Sequence, residues 1–209
     1  MNFIIIYNEC LRSKIIYYDF IERNKDKIKY IIRVPNLTRK KNGKFSFFLI
    51  KKFIATPFYH KTYIFIIVSL YLFLNKLFKS DIKSLAKKLY INYQELDYLP
   101  NKYYLKKLFR NKEKDNIVMC STSHILTGKI FSNKYKILNI HEGDLPIYAG
   151  SATYYYNVLN NESYYRSTLM MPNLTIDAGT ILKKSEKINV KNKSVFEVLL
   201  IGLITSSKL

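Results

Sequence analysis

Cysteine, glycine and acidic residues are scarce in this sequence, and tryptophan is missing altogether. The two cysteines, Cys10 and Cys120, stand far apart. That spacing excludes a disulfide framework or a zinc knuckle and fits a reducing, cytoplasmic setting. Cys120 belongs to the apolar run Ile117-Val118-Met119-Cys120, where a free thiol is expected to pack as a small hydrophobe. No glycine occurs in Tyr7-Asn8-Glu9-Cys10-Leu11-Arg12, which follows the first apolar run. The phosphate-cradling turn of a dinucleotide binder is therefore missing, and this argues against nicotinamide or flavin chemistry. His141-Glu142 has no second histidine at helical spacing, so the zinc-protease pattern is absent and no metal site is expected. Met1 to Tyr7 carries neither a charged leader nor a small-residue cleavage site, so a signal peptide is not expected.

Acidic residues number 15 against 35 basic ones, for a net charge of +20. This balance favours anionic partners such as nucleic acid, a membrane surface, a nucleotide or a phosphorylated substrate. The basic residues are scattered over 39–44, 51–52, 76–88, 102–114 and 183–193. They read as solvated faces of a lysine-biased sequence, without a specific nucleic-acid interface. The apolar stretch Thr62 to Leu74 is 13 residues long before Asn75 and Lys76 interrupt it. A membrane span wants roughly 20 residues. A buried helix is the expectation there, with weak membrane contact as the other reading.

What the sequence does contain is enough apolar and aromatic material for a packed core: 48% hydrophobic and 15% aromatic residues over 209 positions. Phe3 to Tyr7 is a continuous apolar run of the kind buried on both faces of a sheet. Cys10 to Asn24 shows helical spacing, and Ile28 to Val34 is a second strand ended by Pro35. Strand, helix, strand opens a parallel α/β sheet. Residues 35–79 break the rhythm and read as an apolar helical insertion. Ser80-Asp81 caps a helix, Ile91 to Tyr93 is a short strand, Pro100-Asn101 starts another helix, and Ile117 to Cys120 is a buried strand. Ser194 to Ile204 is an apolar helix that closes the domain or meets a second copy in a homodimer. The fold class expected is a single α/β domain, 1–209, with a Rossmann-like, mostly parallel sheet flanked by helices.

Beyond Cys120, polar residues able to do chemistry cluster among turns. In Lys136 to His141 the residues Ile137, Asn139 and His141 alternate with Leu138 and Ile140. A strand sends alternate side chains to one face, so Asn139 and His141 point the same way, about 7 Å apart by strand rise. The C-terminal end of a strand in an open α/β sheet is where sites form. An amide such as Asn139 can donate to a carbonyl oxygen that is becoming an oxyanion. His141 can donate as well, or move a proton near neutral pH. Asp177 can fix the charge or tautomer of that histidine, or accept the proton an attacking amine loses. The plainer readings are a structural histidine and a turn aspartate before Ala178-Gly179.

The stretch ILNIHEGDLPIYAGSATYYYNVLNNESYYRSTLMMPNLTIDAGTIL, residues 137–182, resembles the formyltransferases that use 10-formyltetrahydrofolate. Their pattern of Asn-x-His, Leu-Pro, Tyr-Arg-Gly, an Asn-Gly-Glu-like turn, a strand and Asp-x-Gly-x-Ile is met by several segments here. These are Asn139 and His141, Leu145-Pro146, Tyr148 and Gly150, Asn160-Asn161-Glu162, Thr168-Leu169, and Asp177, Gly179 and Ile181. Residues 85–126 look like the family's preceding helix, strand, helix and buried strand.

The resemblance implies formyl transfer to an amine, with Asn139, His141 and Asp177 as the reacting constellation. It implies that the folate donor lies against Ser123, Ile125, Leu126, Leu145, Thr175 and Ile176. Ala149 stands where the family has Arg, Glu142-Gly143 where it has Pro-Ser, and Asp144 where Leu is common. A chain that stops at Leu209 is expected to lack the further domain of a tRNA-specific member. The acceptor expected is therefore a small amine, an amino sugar on a nucleotide carrier. Three alternatives stay open: a silent relative that only binds, a methionyl-tRNA formyltransferase-like enzyme, and a basic nucleic-acid or membrane-surface protein.

Overall fold

The computed structural model describes residues 1–35, 81–109, 116–122 and 124–209, together with Ser69 and Phe73. The expected insertion and apolar helix within 35–79 lie almost wholly outside these residues. Among the described residues no helix is long and apolar enough to cross a membrane.

Seven strands form the central sheet in the order β3-β2-β1-β4-β5-β7-β8. They are β1 Asn2–Asn8, β2 Ile28–Val34, β3 Asn92–Glu95, β4 Asn116–Ser121, β5 Lys136–His141, β7 Thr168–Pro172 and β8 Gly179–Lys184. The first five pair in parallel, whereas β7 and β8 join antiparallel beyond β5. β6 (Tyr164–Tyr165) and β9 (Ile188–Asn189) make a separate two-stranded ribbon. The mostly parallel α/β sheet is the expected architecture. Its antiparallel half carries no comparable sequence signal, because the hairpin strands are only partly buried.

The helices follow the local chemistry. They are α1 Leu11–Arg23, α2 Ile82–Lys88, α3 Lys102–Leu108, α4 Thr153–Leu159 and α5 Val195–Ser207. Asp81 accepts from the backbone N–H groups of Lys83 and Ser84 and so caps α2. Asn101 caps α3 in the same way. Ser194 and Glu197 form a capping box at the start of α5.

The alternation along β1 divides the core in two. Ile5 and Tyr7 join Met119, Ile140 and the buried faces of α1 and α2. Ile4 and Ile6 join Val118, Cys120, Ile137 and Leu105 of α3 on the other face. Burial pushes the Cys120 thiol up to about 12, so it stays a neutral core side chain at physiological pH. α5 packs on α1 through Leu199, Leu203 and Leu11.

Candidate functional site

β5 carries the site at its C-terminal end. Ile137 packs into the core on the α3 side while Ile140 packs on the α1 side. By alternation Asn139 and His141 follow Ile137, beyond the last pair of the β4–β5 ladder, Met119 with Leu138. Both side chains enter a cavity of about 510 Å³ that Asp177 also lines. The three residues expected to react thus share one cavity.

Two contacts fix His141, which is 6% exposed. Its Nε2 lies 2.7 Å from the backbone carbonyl of Tyr148. A carbonyl only accepts, so Nε2 is the protonated nitrogen in this arrangement. Nδ1 then faces Asp177 Oδ1 at 3.6 Å. A proton added to Nδ1 would give an imidazolium held between a carbonyl and a carboxylate. Asp177 is itself anchored, since the Gly150 backbone N–H donates to Oδ2 at 2.6 Å. The segment Tyr148-Ala149-Gly150 therefore holds both members of the pair through its backbone. Side-chain identity at Ala149 is not needed for either contact.

Asp177 sits in the loop between β7 and β8 with φ 48°, a left-handed conformation that Asp and Asn tolerate better than most residues. The loop is braced from within. Asn173 Oδ1 accepts from Thr175 N at 2.8 Å, and Ala178 N donates to the Thr175 carbonyl at 3.2 Å. The aspartate is both a turn residue and a partner of His141. Asn139, by contrast, makes no side-chain hydrogen bond among the described residues and is half-buried. Its amide is available to a ligand.

Of the residues expected to meet a folate, Ile125, Leu126, Thr175 and Ile176 line the cavity. Ile125 and Ile176 are 59% and 62% exposed, an apolar wall at the cavity mouth. Ser123 lies outside the described residues. Leu145 does not line the cavity. It is 2% exposed, and its backbone N–H donates to Thr168 Oγ1, so its place is in support of the loop after His141. A loop leucine reads alike from sequence whether it faces ligand or core.

Other parts of the site carry little sequence signal. Arg12, from the first turn of α1, lines the cavity and pairs with Glu142 at 2.9 Å. Thr122, His124, Gly150 and Ser151 complete the polar lining. Gly143 packs so tightly that an added Cβ would lie 2.9 Å from His141 Nε2 and from the Tyr148 carbonyl. A bare glycine there lets the loop pass close beneath the ring. Among the described residues no three of His, Cys, Asp and Glu gather as a metal would require.

No protein-family model matches the sequence. A methionyl-tRNA formyltransferase from Ureaplasma parvum is 40% identical over 77 residues, covering 36% of this chain and 25% of that protein. The match spans only about a quarter of the length of the curated relatives. Among solved structures, phosphoribosylglycinamide formyltransferase from Anaplasma phagocytophilum superposes with a TM-score of 0.62 at 12% identity, covering 99% of this chain and 80% of that one. An N-formyltransferase from Helicobacter canadensis, in complex with folinic acid and dTDP-3-aminofucose, gives 0.55 at 18% identity, covering 100% and 61%. The fold is the one these formyltransferases share.

Proposed function

We propose that this chain, built on the formyltransferase fold, is an N-formyltransferase that moves a formyl group from 10-formyltetrahydrofolate to an amine. The observation that carries this reading is the meeting of Asn139, His141 and Asp177 in one cavity that also has an apolar wall. The cavity suits the donor. Ile125, Leu126 and Ile176 offer apolar surface to a flat ring, and polar groups converge at the β5 end, the usual make-up of a small-molecule site.

When bound, the donor supplies a formyl carbon open to attack by an amine. The residues of the chain then divide the work. Asn139 donates from its free amide to the oxygen on which negative charge collects. His141 is held by the Tyr148 carbonyl, and Asp177 stabilises a proton on its Nδ1. Asp177, kept in place by the Gly150 N–H, would take up the proton that the amine loses. The bond between the formyl carbon and the donor nitrogen would break as that nitrogen takes a proton, so tetrahydrofolate would leave and the formyl group would stay on the amine.

The acceptor we propose is an amino sugar on a nucleotide carrier. The Helicobacter canadensis relative in fold was solved with dTDP-3-aminofucose, which supports this choice. A net charge of +20 suits a diphosphate-bearing substrate. The two free cysteines support a reducing compartment, the cytoplasm.

Calorimetric titration of the purified chain with folinic acid tests donor recognition without requiring turnover. Saturable binding is expected, weakened roughly tenfold by Ile176→Asp, which puts a charge into the apolar wall. If no heat of binding develops at any concentration, the chain is not a folate-dependent enzyme. Binding with no transfer to any acceptor would instead support a silent, ligand-holding relative.

A further inference from the structure

The guanidinium of Arg12 reaches across from α1 to the end of β5, where it meets the residues on either side of His141. Its Nη2 donates to the Ile140 carbonyl at 2.5 Å. Its Nε lies 2.9 Å from Glu142 Oε1. Both of those paired atoms are removed from solvent. Loss of either partner would leave the buried facing atom of the other without its counter-charge.

The location explains why such a pair is needed. Beyond Leu138, β5 has no β4 partner, although β7 still flanks it as far as His141. Arg12 supplies a donor where the β4 ladder has stopped. Glu142 is held a second time through its backbone carbonyl, which accepts from Thr153 Oγ1. Gly143 follows at once and lies against the His141 ring. A small rotation of the chain at 142 would therefore be felt at the imidazole.

We infer that Arg12 and Glu142 are a positioning pair that fixes the end of β5 and thereby sets His141 against Asp177. Neither residue has a role in the resemblance to the formyltransferases. Glu142 stands at one of the two positions after the histidine where this sequence departs from the family pattern. The role rests on the formyl-transfer reading of the site, and its test has one arm that does not.

The test uses the full chain with Arg12→Met, Arg12→Lys, Glu142→Gln and the double variant Arg12→Met/Glu142→Gln. In the first arm, Arg12→Met and Glu142→Gln are each expected to lower kcat by roughly 10- to 10²-fold, the cost of misplacing a reacting group. For Glu142→Gln the Kd for folinic acid should stay within about twofold, because Glu142 is not among the residues that line the cavity. The double variant should be no worse than the poorer single, as coupled partners are. Arg12→Lys should recover part of the loss, since one ammonium can pair with Glu142 but cannot reproduce the planar fork.

In the second arm, ring ¹⁵N–¹H spectra resolve the three histidines, His141 being assigned with His141→Gln. Arg12→Met should shift the His141 signals and leave those of His124 in place. An unchanged kcat, multiplying losses in the double variant, or a folinic acid Kd for Glu142→Gln that rises in step with its kcat loss would overturn the positioning role. So would an unmoved His141 signal, whether or not the wild type transfers formyl groups. A wild type that binds folinic acid but transfers nothing defeats the formyl-transfer reading alone, and the spectra then decide on Arg12.

Discussion

Asn139→Ala is expected to lower kcat by roughly 10²- to 10³-fold while leaving the folinic acid Kd nearly unchanged, as removal of an oxyanion donor does. The side chain reaches the cavity yet makes no hydrogen bond among the described residues, so its deletion breaks no side-chain hydrogen bond there. In the proposed role its amide matters only when a ligand oxygen carries charge. An interaction made only in the transition state lowers kcat and kcat/KM together. Steady-state kinetics with a saturating donor measure the split. A variant within about twofold of wild type in kcat would remove Asn139 from the chemistry, because no oxyanion donor is lost so cheaply.

Asp177→Asn carries the second large effect, roughly 10²- to 10⁴-fold in kcat, the range of positioned acid–base groups. Asparagine keeps the shape of aspartate. It keeps an oxygen to accept the Gly150 N–H and tolerates the left-handed backbone at φ 48°. What it loses is the negative charge facing His141 Nδ1. The substitution therefore separates the two readings that the sequence left open. A turn aspartate would accept Asn with little change in folding or rate. A carboxylate that balances an imidazolium or receives a proton would not. Alanine is the poorer probe, since it would strain the turn as well as remove the charge. Thermal unfolding should be close to wild type for Asp177→Asn, and a rate loss that tracks a stability loss would point back to the turn.

Much of the parallel half of the fold could be read directly. The buried strands β1, β2 and β5 announce themselves through continuous or alternating apolar residues, and Asp81, Asn101 and Ser194 mark helix starts by the caps they form. The pairing of Asn139 with His141 on one face also follows from alternation alone. Asp177 lies 36 residues beyond His141 in sequence, and only the family-like spacing linked them before the fold placed them 3.6 Å apart.

Other features were closed to sequence reading for physical reasons. The anchors from Tyr148 and Gly150 are backbone groups, which any residue type supplies. The Arg12–Glu142 pair joins residues 130 positions apart, and a single Arg and a single Glu in so basic a chain carry no signal. Leu145 went inward because the loop that carries it is tied by its N–H to Thr168. Ala149, where the related enzymes have arginine, leaves the two backbone contacts around it intact.

The most direct measurement follows a ¹³C-formyl label from 10-formyltetrahydrofolate into a panel of amines, read by mass spectrometry. The panel holds nucleotide-linked amino sugars, glycinamide ribonucleotide and methionyl-tRNA, each offered to wild type and to Asp177→Asn. The expected result is label on a nucleotide-linked amino sugar with wild type, and its near loss with Asp177→Asn. Label on none of the amines, from a protein that binds folinic acid, would contradict formyl transfer at Asn139, His141 and Asp177. Equal labelling by both proteins would contradict the part assigned to Asp177.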